Sequence, residues 1–160
     1  MIVTQAEIQA TTEGIDTLTP HIVVRDAGKA AEWYKEVLGA EERGRVPVPG
    51  GKFMQIELWF GNSAVMLADE FLDAGIFSPL AIGGTPVVLH LTTKKVEALW
   101  QRAIDAGAVI LQPLQEQFWG DLHGQILDPF GYRWNLAQHL RDVPSEEIAR
   151  IAASIFGGQA

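Results

Sequence analysis

The fold is decided by residues 19–40, TPHIVVRDAGKAAEWYKEVLGA. Within them the short β-branched run His21 to Val24 predicts a strand. Asp26 then predicts the start of a helix, because aspartate is a favoured N-cap residue. Apolar residues continue at helical spacing as far as Leu38, and Gly39 predicts the end of the helix. The segment therefore predicts a strand followed directly by an amphipathic helix.

The same pattern returns in residues 85–108, TPVVLHLTTKKVEALWQRAIDAGA. Both segments begin with Thr-Pro, both predict a strand and then a helix, and both end in Gly-Ala. In the first half, Phe53 to Phe60 and Ala64 to Ala68 predict two further strands joined as a hairpin at Gly61. The second half also continues into strands, so the chain predicts an internal duplication of a βαβββ unit.

The predicted fold class is α+β, with two βαβββ modules forming a curved, barrel-like mixed sheet around a cavity. The domain is predicted to span residues 18–140, with its repeats at 18–70 and 85–140. Residues 1–17 are predicted to form an N-terminal arm, because they are polar and weakly patterned. Residues 141–160 are predicted to form a C-terminal helix with one apolar side.

Several local features are predicted from turn-forming and capping residues. Val46 to Gly51 is rich in Pro and Gly and predicts a loop. The connection Glu70 to Gly84 is long enough to form a lid or a crossover. Val109 to Leu111 predicts a short strand, and Ser145 is predicted to be the N-cap of the last helix.

Composition excludes several classes of function. The 160-residue chain has 48% hydrophobic and 20% charged residues, which is typical of a globular domain. Its net charge of −8, without a cluster of Lys and Arg, predicts no binding to nucleic acid. Cysteine is absent, which excludes disulfides and thiolate chemistry. Without a basic leader or an apolar run of ~20 residues, we expect no membrane span and a cytoplasmic location.

Strand alternation selects the candidate ligand-binding residues, since alternate side chains share a face. Polar or aromatic residues fall together on one face of the predicted strands, and an aromatic pair precedes the last two strands. Such residues can anchor or stack on a small molecule. His123 and His139 are predicted to face solvent, because one lies beside a glycine near a loop and the other follows the last strand. The candidate ligand-binding residues are His21, Gln55, Glu57, Trp59, His90, Trp119 and Asn135.

The motifs resemble the vicinal oxygen chelate superfamily of glyoxalases, bleomycin-resistance proteins and extradiol dioxygenases. Val24-Arg25-Asp26, followed by Trp33-Tyr34 and Leu38-Gly39, is similar to the opening segment of that superfamily. The stretches Gln115 to Asp121 and Asp128 to Trp134, with the tail Asp142 to Glu147, are similar to its glyoxalase-like branch. The resemblance covers most of the chain and implies paired βαβββ modules.

The resemblance also implies where a metal would be held. Metal-dependent members bind a divalent ion through His and Glu or Gln on the barrel strands. In this chain the corresponding positions fall at Thr19, near Leu67, near Val88 and at Asn135. None is a good ligand, so we expect no metal and no other cofactor. The alternative is one divalent metal ion bound by a displaced set, His21, Glu57 and His90.

Two functions therefore remain open. The first is a glyoxalase/bleomycin-resistance-like protein that binds a small organic molecule in the cavity between the modules, without the full metal site of the family. The alternative is a metal-dependent lyase, isomerase or dioxygenase, so enzymatic activity and catalytic residues stay unassigned. We expect a homodimer, because the family pairs its modules and the last helix offers an apolar stripe to a partner, namely Ile148, Ile151, Ile155 and Phe156.

Overall fold

A computed structural model describes residues 16–157, so nearly all of the predicted N-terminal arm, residues 1–17, lies outside the described residues. The chain divides into two compact units between Thr85 and Pro86. Each unit is a βαβββ module with its own four-stranded mixed sheet. The predicted α+β class and the internal duplication are confirmed. Within residues 16–157, no helix has the length and apolar character needed to cross a membrane.

The N-terminal module contains one helix and four strands. Its sheet has the strand order β1-β4-β3-β2, with β1 parallel to β4 and the other pairs antiparallel. The connection that follows contains a 3₁₀ turn, Leu72–Ala74, and a short helix α2, Pro79–Ile82. The elements of the module are β1 (His21–Val24), α1 (Ala27–Leu38), β2 (Glu41–Val48), β3 (Lys52–Phe60) and β4 (Ser63–Asp69).

The C-terminal module repeats this topology. Its strand order is β5-β8-β7-β6, and again the first strand is parallel to the last while the other pairs are antiparallel. A final helix, α4 (Ser145–Phe156), follows the sheet. The other elements are β5 (Val88–Thr92), α3 (Val96–Asp105), β6 (Val109–Glu116), β7 (Asp121–Leu127) and β8 (Arg133–His139).

In the N-terminal module the core lies between α1 and one face of the sheet. Tyr34 on α1 is fully buried, and its ring meets Phe60 of β3 edge-on at 6.4 Å between centroids. Ile56 and Leu58 share the face of Phe60, and both have no exposed surface. Because side chains alternate along β3, burial of these residues turns the intervening residues to the opposite face.

Asp69, a buried carboxylate, ties the start of α1 to the sheet. Its Oδ1 accepts a hydrogen bond from the backbone N–H of Ala27 at 2.8 Å, and its Oδ2 accepts one from the N–H of Phe53 at 2.7 Å. The residue is only 4% exposed. One side chain thus satisfies a donor at the helix N-terminus, where intrahelical partners are lacking, and another at the start of β3.

Two local predictions are wrong, and one strand is longer than predicted. Val46 to Val48 belongs to β2 and only residues 49–51 form the turn, because Pro47 lies in an edge strand, where proline is tolerated. The predicted strand Val109 to Leu111 continues as β6 as far as Glu116. Ser145 is the first residue of α4 rather than its N-cap, which is Pro144 and makes no side-chain capping bond.

Replacing Asp69 with Ala should lower the free energy of unfolding by about 2–4 kcal/mol, because it leaves two N–H groups without their charged acceptor. Urea unfolding followed by circular dichroism measures the change. The exposed Asp73→Ala is the matched control and should change the free energy by less than about 0.5 kcal/mol. Equal stability of the two variants would contradict this role of Asp69.

Candidate functional site

The face of the N-terminal sheet opposite α1 carries the residues predicted from strand alternation. His21 of β1 and Glu57 of β3 both pair in register with Met66 of the strand between them, β4. Residues in register share a face, so His21, Met66 and Glu57 form one row across the sheet. Two strand spacings separate the backbones of His21 and Glu57, roughly 10 Å.

The carboxylate of Glu57 already has a partner on this face. The indole N–H of Trp59, two residues further along β3, donates a hydrogen bond to Oε1 of Glu57. The guanidinium of Arg43 lies over the Trp59 ring, with its carbon 4.1 Å from the ring centroid. Gln55 follows on the same side of β3 by alternation. This face therefore presents a charged and aromatic group, with Trp59 held between Glu57 and Arg43.

The C-terminal sheet carries an equivalent row on its own face opposite α3. His90 of β5 and Gln125 of β7 both pair in register with Asn135 of β8. The amide Nε2 of Gln125 donates a hydrogen bond to Oδ1 of Asn135 at 2.9 Å. By strand order, His90 corresponds to His21, Asn135 to Met66 and Gln125 to Glu57. The two histidines thus occupy equivalent positions in the two modules.

His123 is the centre of this second face. It lies in β7, only 8% exposed, so the prediction that it faces solvent is wrong. Its ring stacks on that of His90 at 6.1 Å between centroids and meets Trp119 edge-on at 5.5 Å. Its Nδ1 is buried and has no hydrogen-bond partner among the described residues. An unpaired buried polar atom costs about 1–3 kcal/mol, which makes His123 the least satisfied group on this face.

The surroundings of His123 determine its protonation. Burial lowers the pKa of His123 below its ordinary value, and the charge of a protonated His90 lowers it further. Asp121 and a hydrogen bond with Asn135 act in the opposite direction on this pKa. Since the ordinary value is about 6.5, the ring is neutral at pH 7. A neutral imidazole has one donor and one acceptor nitrogen.

The turn before β7 holds Trp119 against His123. A Cβ on Gly120, whose φ is +99°, would lie 2.1 Å from the carbonyl oxygen of Arg141. The backbone N–H groups of Leu140 and Arg141 both donate to the carbonyl of Gly120. The indole N–H of Trp119 donates to Oδ2 of Asp121 at 3.2 Å. Glycine at this position thus lets the turn approach the chain after β8 and fixes the indole.

His139 contacts the carboxylate of Asp121, which accepts the hydrogen bond from the indole of Trp119. Its Nδ1 lies 2.9 Å from Oδ1 of Asp121, and its Nε2 lies 2.9 Å from Oδ1 of Asp142. Hydrogen bonds to Asp121 first, and to Asp142 second, raise the pKa of His139. Both ring nitrogens meet carboxylate oxygens, so the doubly protonated ring satisfies both contacts. As predicted, the side chain of His139 is exposed, at 56%.

The residues at the implied metal positions do not fit a metal ion. Leu67 is fully buried and lies on the helix-covered face, because its register partners are Ile22 and Ile56. Its neighbour on the polar face is Met66, whose thioether is a soft ligand unsuited to hard divalent ions. Among residues 16–157, no group of three or more His, Asp and Glu side chains is arranged to hold a metal.

The predicted site residues fall into two groups, one in each module. His21, Gln55, Glu57 and Trp59 lie on the N-terminal sheet, whereas His90, Trp119 and Asn135 belong to the C-terminal module. Sequence reasoning missed His123 and Gln125. A signal was present, because Asp121, His123 and Gln125 alternate along one strand in the same way as Gln55, Glu57 and Trp59.

The fold and the two polar faces define a protein of the paired βαβββ class. The family model of the Glyoxalase/Bleomycin resistance protein/Dioxygenase superfamily matches residues 14–136, and the chain belongs to this superfamily. The resemblance read from the motifs is thereby confirmed. The matched region ends before the tail segment Asp142 to Glu147 that the resemblance also included.

Relatives occur in bacteria and plants. An uncharacterized protein of Mycobacterium tuberculosis (strain ATCC 25618 / H37Rv) is 41% identical over 140 residues, covering 86% of this chain and 82% of that protein. A solved gene product of Arabidopsis thaliana has 30% identity and a TM-score of 0.62, covering 80% of this chain and 99% of its own. TioX from Micromonospora sp. ML1 has 25% identity and a TM-score of 0.61, covering 77% of this chain and 98% of its own.

Replacing His90 with Ala should raise the pKa of His123 towards its ordinary value. The change uncovers part of the buried ring and removes the repulsion between two protonated imidazoles, and both effects act in the same direction. NMR titration of the His123 ring measures the shift. Gln101→Ala, an exposed position on α3, is the control and should leave this pKa unchanged. An unchanged or lower pKa in His90→Ala would refute the coupling.

Proposed function

We propose that this protein binds a small organic molecule on the polar face of its C-terminal sheet, and that it does so without a bound metal. The observation that carries the proposal is the buried, unpaired Nδ1 of His123, enclosed by the rings of His90 and Trp119. A buried side-chain atom left without a partner among the described residues favours a binding role over a purely structural one. Aromatic walls with a few polar anchors are typical of small-molecule sites.

The side chains at the family's metal positions support binding over metal-dependent catalysis. Thr19, Leu67, Val88 and Asn135 do not provide the imidazole and carboxylate donors that a divalent ion requires. The net charge of −8 favours neutral or cationic ligands and disfavours nucleic acid as a partner. A cytoplasmic location agrees with the absence of cysteine.

The test combines metal analysis with ligand binding. Protein purified without a chelator or an affinity-tag metal should contain no stoichiometric divalent ion by mass spectrometry. A fragment screen by NMR should give ligands that shift the His90 and His123 ring signals. Replacing Trp119 with Leu should weaken their binding by roughly two- to tenfold, because it removes a ring contact worth about 0.5–1.5 kcal/mol.

Trp33→Leu, on α1 of the other module, is the matched control and should leave the affinity unchanged. Near one tightly bound ion per chain, lost on replacing His21 or His90, would overturn the metal-free proposal in favour of a displaced-site enzyme. Fragments that shift no signal on the C-terminal sheet would overturn the proposed site.

We further propose that the protein is a homodimer. Helix α4 has no buried residue, and Ile155 and Phe156 are 52% and 72% exposed. The connection after β4 also exposes Leu72, Phe77 and Ile82. Apolar side chains in such number are costly in water and favour a partner surface. A second copy is the simplest partner, since closed symmetric dimers are the commonest oligomers.

Light scattering at micromolar concentration should therefore give the mass of a dimer. Ile155→Asp combined with Phe156→Asp should shift the mass towards that of a monomer, because it places charge on the exposed apolar end of α4. The double variant Ser154→Asp with Ala153→Asp adds the same charge at neighbouring exposed positions and serves as the control. A monomeric mass for the unmodified protein would disprove the dimer.

A further inference from the structure

A continuous line of hydrogen bonds joins the turn before β7 to the end of β8 on the polar face of the C-terminal sheet. We propose that His139, in this line, is a positioning residue for Trp119 of the ligand site, and that it holds Trp119 firmly only while its ring is doubly protonated. The inference rests on the proposed function, since it names how the same site is regulated, but the free protein tests it without a ligand.

The first step is placement. Asp121 pairs in register with His139, and two residues further along β7 His123 pairs with Ala137. Alternation therefore turns Asp121, His123 and His139 to one face of the sheet. The indole N–H of Trp119 donates to Oδ2 of Asp121 at 3.2 Å, while Oδ1 of the same carboxylate lies 2.9 Å from Nδ1 of His139. Asp121 is thus held at one oxygen by His139 and presents the other to Trp119.

The second step is the charge that these contacts require. Nδ1 of His139 faces Asp121, and Nε2 lies 2.9 Å from Oδ1 of Asp142, so each ring nitrogen meets a carboxylate oxygen. A neutral imidazole has a single N–H and can donate to only one of them. Among the described residues, Asp121 on β7 and Asp142 after β8 are the charged groups that act on this ring. Arg141, the residue before Asp142, is paired instead with Glu116 of β6.

The third step is the effect of pH. Hydrogen bonds to Asp121 first, and to Asp142 second, raise the pKa of His139, so the charged ring persists above the ordinary value of about 6.5. As the pH rises through the raised pKa, one N–H is lost. A proton kept on Nδ1 leaves a neutral bond to Asp121, about half as strong as the charge-assisted one, and a proton kept on Nε2 leaves none. In both cases Asp121, and Trp119 with it, is held less firmly.

The fourth step is the consequence for the ligand site. A loosely held Trp119 must be ordered when a ligand binds against it, and ordering one such side chain weakens binding roughly two- to tenfold. The site therefore binds most tightly below the raised pKa of His139 and loses affinity as the pH rises through it.

The free protein is titrated from about pH 5.5 to about pH 9, a range in which carboxylates stay ionised. The indole N–H signal of Trp119 and the ring signals of His139 are followed by NMR. The Trp119 signal should show an inflection at the pH where His139 itself titrates. His123 also contacts Trp119, but burial lowers its pKa, so the inflection that it causes lies on the acid side of that of His139.

Asp142→Ala is the decisive variant, because Asp142 contacts His139 at the ring nitrogen opposite Asp121. The side chain of Asp142 is fully exposed, so we expect this variant to fold. It removes an acceptor that raises the pKa of His139, so the inflections of His139 and Trp119 should move together to lower pH. His139→Gln should abolish this inflection of Trp119. Glu97→Ala removes the same charge at an exposed position on α3 and should leave it in place.

A Trp119 signal that does not respond to the titration of His139, or that keeps its inflection in Asp142→Ala, would overturn the inference and leave the proposed function intact. A fragment bound on the C-terminal sheet should lose affinity roughly two- to tenfold across the inflection in the unmodified protein, and constant affinity would equally overturn the inference. Failure of every fragment to bind there would overturn the proposed function, while the Trp119 titration would still decide whether His139 positions the indole.

Discussion

Packing of one helix against one face of each sheet is the constraint on which the rest of the structure depends. In the N-terminal module, Tyr34 packs on a row formed by the buried Ile56 and Leu58 and the half-buried Phe60, and this row fixes which side of β3 is apolar. In the C-terminal module, Trp100 of α3 presses so closely on β7 that a Cβ on Gly124 would lie 2.5 Å from its ring. Once one face of each sheet is covered, the pleat places every intervening side chain on the other face. The polar faces are thus a direct result of core packing.

This constraint explains why much of the fold could be predicted from the sequence. Period-two alternation placed His21 with Val23, and Glu57 with Trp59, and the strand register agrees with that placement. Repetition of the Thr-Pro start and of the helix stop identified the two modules before any contact was known. These features depend on local chemistry, which the sequence records directly.

The failures of prediction have physical causes in particular residues. His123 was expected to face solvent because it lies beside Gly124 and near a loop, yet the glycine is there because Trp100 needs its space within a strand. Pro47 and the glycines after it suggested a loop. Proline has no backbone N–H to donate, but β2 is an edge strand, where this donor is not needed on the side without a neighbouring strand. The unpaired Nδ1 of His123 depends on which groups surround it, and no spacing along the chain reveals that.

Each sheet is assembled from a single continuous stretch of chain, and every strand of a module pairs within that module. Short separations along the chain between contacting residues reduce the loop entropy lost before contacts form, so such topologies fold comparatively fast. The last strand of the first module, β4, ends at Asp69, so all four strands of this sheet are present once the ribosome has released residue 69. It can therefore reach its native pairing while the second is still being translated, which shortens the time that its strand edges are open to aggregation.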